Sequence, residues 1–177
     1  MKVLIKRISS DPLGLLGLCL VTLIVVSALG ASIFAPYDPI QLNIMERLQG
    51  PSANHLLGTD QLGRDLFSRV LFGGQVALKV AFLSIGSALI MGILLGLIAG
   101  YGPTWLDNSI MLLFDTIRSV PTIMLALVAV AFVGPSITTV IFVIAASSIP
   151  SYGRIVRTQT LSRRTLLKQR LLWAHHY

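Results

Sequence analysis

The sequence predicts an all-α integral membrane protein with four transmembrane helices, on three observations. Hydrophobic residues make up 54% of its 177 residues and charged ones only 12%, with a mean hydropathy of +0.81. The apolar residues fall into four long runs broken by Pro and Gly. The basic residues gather at the two ends. A soluble domain of this size lacks the polar side chains to clothe such a composition, so the membrane class comes first. The 14 Lys and Arg outnumber the 7 Asp and Glu. Their placement in the tail, without interleaved aromatics on a folded domain, suits membrane orientation better than nucleic acid, and no nucleic-acid partner is expected. Cys19 is the sole cysteine, so neither a disulfide framework nor a thiolate metal site can be built.

Residues 1–12 read as a cytoplasmic N-terminus carrying Lys2, Lys6 and Arg7, and 13–35 as the first span. That uncharged run is long enough to cross roughly 30 Å of hydrocarbon at about 1.5 Å per residue. A cleaved signal peptide is the rival reading. Against it, the apolar stretch exceeds the usual signal core of about 7–15 residues, and Leu18 is a poor residue to precede a lipoprotein Cys19.

Residues 36–75 form an extracytoplasmic loop. A-P-Y-D-P at 35–39 ends the helix, because Pro removes a donor and restricts the residue before it. Within H-L-L-G-T-D-Q-L-G-R-D-L-F-S-R at 55–69, Thr59 or Asp60 can cap a helix. Leu62, Leu66, Phe67, Val70 and Leu71 then share a stripe, with Asp65 and Arg69 as an i, i+4 pair opposite. The expectation is a short amphipathic helix over about 60–72, lying at the interface and ended by Gly73-Gly74.

Three further spans are expected over 76–153: Val76 to Tyr101, Asp107 to Val133, and Ser136 to Ile149 with a possible extension to Gly153. Gly134-Pro135 provides the turn between the last two. Ala88, Gly92, Gly96 and Gly100 recur every fourth residue, leaving one helix face open to close approach. That face serves either general helix packing or a subunit interface. Asp115 and Arg118, three residues apart, read as an interfacial ion pair near the cytoplasmic end. Six basic residues after Gly153 face no acid, so a basic cytoplasmic tail over 154–177 puts both termini inside.

Enzyme chemistry is not expected. His55 with Asp60 and Asp65 fits neither a nucleophile triad nor a metal site, and no G-x-x-x-x-G-K-[ST] phosphate loop occurs. No catalytic, cofactor-binding or metal residue is assigned.

The run L-G-T-D-Q-L-G-R-D at 57–65 resembles the signature of the C-type permease subunits of dipeptide, oligopeptide and nickel ABC importers. Gly58, Thr59, Asp60, Gly63, Arg64 and Asp65 carry that signature loop. The resemblance continues through G-Y-G-P-T-W-L-D-N at 100–108, D-T-I-R-S-V-P-T-I-M-L-A-L at 115–127 and I-P-S-Y-G-R-I-V-R-T-Q-T-L-S at 149–162. It implies the type I ABC importer permease fold, incomplete at the C-terminus, in a bacterial inner membrane. It also implies a second permease subunit, two ATPase subunits that hydrolyse the ATP, and an extracytoplasmic solute-binding protein. The runner-up reading is a non-transporting four-span adaptor whose basic tail binds lipid or a soluble partner.

The family pattern continues into a cytoplasmic E-A-A-x-x-x-G loop and two more spans, neither of which occurs in this sequence. The genetic code offers a reason. Codons built from the last base of each printed codon and the first two of the next, over Leu167 to Ala174, can read E-A-A-x-x-L-G. The expectation is a one-base shift of frame between about Leu161 and Leu167, with the tail out of frame from about 163. Such a chain is expected not to support substrate-dependent ATP hydrolysis or uptake. The competing reading is a basic juxtamembrane helix held by anionic lipid.

Overall fold

The computed structural model describes residues 11–174, with side chains to residue 164. Lys2, Lys6 and Arg7, the last three residues, and the side chains of Lys168 and Arg170 lie outside that description. The described chain is all-helical, apart from a single isolated β-bridge between Thr59 and Asp65. The helices are α1 (Pro12–Leu29), α2 (Ala31–Phe34), α3 (Leu66–Tyr101), α4 (Thr104–Ser119), α5 (Thr122–Val133) and α6 (Ile137–Ala174), with one 3-10 turn at Ile44–Glu46. Two compact units emerge, one up to Lys79 and one from Val80.

In the first unit, α1 starts on a cap. The Asp11 carboxylate accepts the Leu13 N–H at 3.1 Å, and Pro12 fills the first helical position, where no donor is needed. Ala28 is its buried residue, followed by Ala31 at the start of α2; apart from half-buried Val25, the leucines and valines of α1 are exposed, as suits a helix solvated by lipid. The expected stop at Gly73-Gly74 does not occur, because α3 runs unbroken through both. A Cβ on Gly74 would stand 3.1 Å from that of Ala28. This glycine therefore lets α1 approach rather than ending a helix, and the separate amphipathic helix over 60–72 is replaced by a long helix beginning at Leu66.

The second unit is organised by small residues. A Cβ on Gly92 would lie 2.7 Å from that of Tyr152, and one on Gly100 2.6 Å from that of Thr160. Further up, the Ser84 hydroxyl donates to the Ile141 carbonyl at 3.3 Å. Residue numbers rise together along both helices, so α3 and α6 run parallel. From the level of Thr160 back to that of Ile141 is about 28 Å at 1.5 Å per residue. The chain between α3 and α6 must climb that distance, and α4 with α5 makes the climb as one span bent by 87°.

That bend corrects the expected continuous helix from Asp107 to Val133. Pro121 supplies no N–H and holds Val120 extended, with ψ 125°, so α4 stops at Ser119 and α5 restarts at Thr122. The fourth span also differs. Instead of ending near Ile149, α6 continues through a buried Pro150 to Ala174. Three helices among the described residues are thus long and apolar enough to cross a membrane, or four if the bent pair is one span. Among the described residues the core lies where α3, α4 and α6 meet: Ala99, Ile110 and Phe114 are buried together, with Leu95, Leu106, Met111 and Ile149 packed around them.

The expected Asp115–Arg118 pair is also corrected. Asp115 meets Arg154 of α6, and Asp107 takes a two-pronged grip from Arg157 at 2.5 and 2.6 Å. Arg118 is exposed, with no ion pair recorded among the described residues. Packing α4 across α6 brings both carboxylates to arginines one turn apart: Arg157 grips Asp107 with two nitrogens, and Arg154 reaches Asp115 with one. Asp107→Asn is expected to destabilise the detergent-solubilised protein by about 1–3 kcal/mol, since it leaves Arg157 half-paired. A thermal melt unchanged from the parent would show that the pair contributes nothing.

Candidate functional site

The signature loop folds into a small polar structure built on two carboxylates. Asp60 organises a turn: its Oδ1 accepts the N–H groups of Leu62 at 2.8 Å and Arg64 at 3.0 Å, and the Gly63 N–H donates to its carbonyl at 3.0 Å. Such Asx turns form because a short side chain can reach its own backbone two residues on. Oδ2 then receives the Arg64 Nε and Nη2, each at 2.8 Å, and Arg69 Nη1. Arg69 was expected to pair with Asp65. It meets Asp60 instead, because Asp65 faces inward.

Asp65, rather than Thr59 or Asp60, caps α3. Its Oδ2 accepts the Ser68 N–H and the Ser68 hydroxyl, both at 2.8 Å, satisfying a donor that the first helical turn leaves open. Its other oxygen lies 2.9 Å from His55 Nδ1. His55, Thr59, Asp65 and Ser68 are all buried. On the far side of the imidazole, Nε2 lies 3.4 Å from Glu46 Oε2, which Asn43 Nδ2 holds at 2.6 Å. The Tyr37 ring covers it at a centroid distance of 4.9 Å, and the Tyr37 N–H donates to the Ser68 hydroxyl at 3.2 Å.

Two glycines close the loop. Gly58 and Gly63 have φ of +78° and +72°, in the left-handed region that a Cβ disfavours. A Cβ on Gly58 would meet the Gln49 carbonyl oxygen at 2.3 Å. Thr59 stitches the same strands: its hydroxyl donates to the Glu46 carbonyl and accepts the Gln49 N–H at 2.9 Å. All six signature residues therefore serve one structure, and His55, Glu46 and Tyr37 join them.

The electrostatics follow from these contacts. The hydrogen bond to Asp65 pushes the His55 imidazole above its ordinary value, against burial that pulls it down, with Glu46 adding to the rise. Burial would raise Asp65, but the Ser68 N–H, His55 and the Ser68 hydroxyl outweigh it and hold the carboxyl low. Burial also opposes ionisation of Asp60. The N–H groups of Arg64 and Leu62 and the Arg64 guanidinium overcome it and bring the carboxyl to about 2. A depressed carboxyl contributes stability present above its unfolded value and lost as pH falls through the folded one. The stability that Asp60 contributes is therefore complete above its ordinary carboxylate value and is lost as pH falls toward about 2.

Nothing in this arrangement can act as an activated nucleophile, because the one imidazole is spent between two carboxylates. No group of three or more His, Cys, Asp or Glu among the described residues is arranged to hold a metal ion. The second unit offers an apolar cavity of about 540 Å³, lined by Leu125, Val128, Phe132, Thr139, Phe142 and Val143. Its Thr139 hydroxyl is already donated to the Gly134 carbonyl at 2.9 Å. As for the small-residue stripe, Ala88 is buried and Gly92, Gly96 and Gly100 face α6, so that face packs within the chain.

Comparison with known proteins bears on both units. Residues 92–165 match the family model of the binding-protein-dependent transport system inner membrane component. Residues 1–51 match the N-terminal transmembrane domain of oligopeptide transport permease C. The chain belongs to the peptide-type permease family of binding-protein-dependent transport systems. A dipeptide transport system permease protein, DppC, of Alkalihalophilus pseudofirmus is 39% identical over 159 residues, covering 90% of this chain and 52% of the relative. The glutathione transport system permease protein GsiD of Pectobacterium atrosepticum is 39% identical over 147 residues, with 82% and 49% covered. A probable D,D-dipeptide transport system permease protein, DdpC, of Escherichia coli K12 is 34% identical over 158 residues, with 89% and 53% covered. The chain spans about half the length of these curated relatives. Family and apolar helices together make this permease-family chain a multi-pass inner-membrane protein.

Proposed function

We propose that this permease-family chain is the C-type subunit of a binding-protein-dependent ABC importer of short peptides, with nickel as the alternative solute. The two family matches on separate stretches of one chain carry this reading. The solutes for which the relatives are named, dipeptides and glutathione, favour peptides. The subunit itself is not an enzyme and needs no cofactor; two partner ATPases supply the energy, a second permease completes the path, and a solute-binding protein delivers substrate. The 36–65 segment lies outside and both termini inside. The parallel course of α3 and α6, with α4 and α5 returning between them, supports that alternation, because each crossing then reverses the last. Gly92, Gly96 and Gly100 act in this reading as the packing face of the permease core.

The tail from about 163 is proposed to be out of frame. The end of the family match at residue 165, close to that point, supports this. The nucleotide sequence tests it directly: a neighbouring frame without E-A-A excludes the shift.

The functional reading is tested by expressing the permease with the genes that flank it and purifying it in mild detergent. Retention of a second permease and of ATPase subunits is the expected result. Purification of the chain with neither would favour the four-span adaptor.

A further inference from the structure

The signature loop contains a device that the transport reading does not use. His55 is buried on the line between two carboxylates from different elements: Asp65, the residue that caps α3, and Glu46, in the 3-10 turn. Tyr37 covers the ring. The guanidinium groups of Arg64 and Arg69 are both engaged by Asp60. The Asp65 contact is a hydrogen bond and the Glu46 contact an ion pair at 3.4 Å; carboxylates only accept, so both are attractive only when both ring nitrogens carry protons. An imidazolium has two N–H groups and a neutral imidazole has one. Whichever tautomer the neutral ring adopts, one nitrogen turns a lone pair toward a carboxylate oxygen. That contact changes from attraction to repulsion.

We propose that His55 is a pH-operated latch, which in its protonated form fastens the 44–65 segment onto the start of α3 and on losing its proton releases the Glu46 side. The consequences are directional. A histidine raised above its ordinary value contributes stability that is complete below about pH 6.5, its unfolded pKa, and is lost as pH climbs through the folded value. Asp65, held low, withdraws its share only under acid conditions, below the ordinary carboxylate range. The latch is therefore closed in mildly acidic surroundings and opens as they become alkaline. On release, Glu46 keeps Asn43, and the turn around Asp60 is untouched, since its partners are arginines and backbone N–H groups. Opening is thus local to the 3-10 turn carrying Glu46 and the stretch leading to His55.

The full chain in lipid nanodiscs provides the test, with amide hydrogen exchange of the 44–57 region followed at pH 6 and pH 8.5 after correction for intrinsic exchange rates. The corrected opening is expected to increase about fivefold or more at the higher pH. His55→Gln should abolish the difference. Glu46→Gln provides an independent arm. Its amide can donate to the lone pair of a neutral ring, so both contacts survive deprotonation and the pH response should flatten while Asp65 keeps its partner. Equal opening of the parent protein at both values would overturn the latch. An undiminished pH response in Glu46→Gln would overturn it as well, by showing that another group titrates.

Discussion

Gly96→Val is expected to separate α3 from α6 and to abolish the folded state under conditions where the parent protein survives purification. A Cβ at this position would stand 2.5 Å from the Gly153 carbonyl oxygen and 2.8 Å from the Val156 Cβ. The first obstacle is backbone, which cannot rotate aside as a side chain can. Relieving it requires the helices to move apart, and the contacts at Gly92 and Gly100 lie on the same face one turn away. Gly153 cannot retreat, because a Cβ there would already meet the Phe114 ring at 2.5 Å. Three helices thus converge on two glycines with no slack on either side. Overpacking a tight interior costs about 1–3 kcal/mol even where neighbours can adjust, and here more is expected because they cannot. Gly86 lies on the same helix with nothing within 4 Å of its would-be Cβ. Gly86→Ala should therefore be neutral, or stabilising by up to about 1 kcal/mol through helix propensity. Thermal unfolding of the two variants in one detergent compares them directly. Equal melting temperatures would mean that the α3–α6 contact is dispensable.

That contact was legible in the sequence only as a stripe, and the stripe alone left its partner open. Periodicity reports which face of a helix is smooth; it does not report what touches it, and the choice between α6 and another subunit needed coordinates. Punctuation was similarly ambiguous. Gly134-Pro135 does separate two helices, whereas Gly73-Gly74 does not, because glycine serves both chain reversal and close approach and local sequence cannot say which. Pro121 carried a readable signal that the apolar character around it masked. Pro150 fell between the expected end of a span at Ile149 and its extension to Gly153, and it lies inside the helix, its missing hydrogen bond tolerated in a packed setting. Ion pairs were the least legible. Asp65 with Arg69 and Asp115 with Arg118 both satisfy helical spacing. Yet Asp65 precedes the helix and turns back to cap it, and Asp115 finds Arg154, which is 39 residues away in sequence. Spacing rules rank neighbours along one helix, while a guanidinium arriving from a packed helix is invisible to them. In the signature loop the residue types were evident, and the role of His55 as their hub was not.

Gly63→Ala is expected to dismantle that loop while leaving the membrane helices in place. Two independent penalties meet at this residue. Its φ of +72° is disfavoured for any residue with a Cβ, by roughly 1–2 kcal/mol. The added carbon would also fall 1.7 Å from the Asn43 carbonyl oxygen and 2.4 Å from the carbonyl carbon, inside the backbone itself. The 43–62 pairing, in which the Asn43 N–H donates to the Leu62 carbonyl at 3.2 Å, has to break to make room. Asn43 also holds Glu46, so its displacement draws Glu46 away from His55 and leaves the buried imidazole with one carboxylate. Substituting asparagine, which tolerates the left-handed region better, would relieve the first penalty and not the second, so Gly63→Asn should fail as well. Gly50 has no atom within 4 Å of its would-be Cβ and no left-handed φ, and Gly50→Ala should behave as the parent. Limited proteolysis separates local from global damage: cleavage confined to residues 40–65, with the α3 and α6 fragments still protected, is the expected pattern for Gly63→Ala. A protected loop would show that the Asn43 backbone can yield, and that the glycine is a convenience of the turn rather than its requirement.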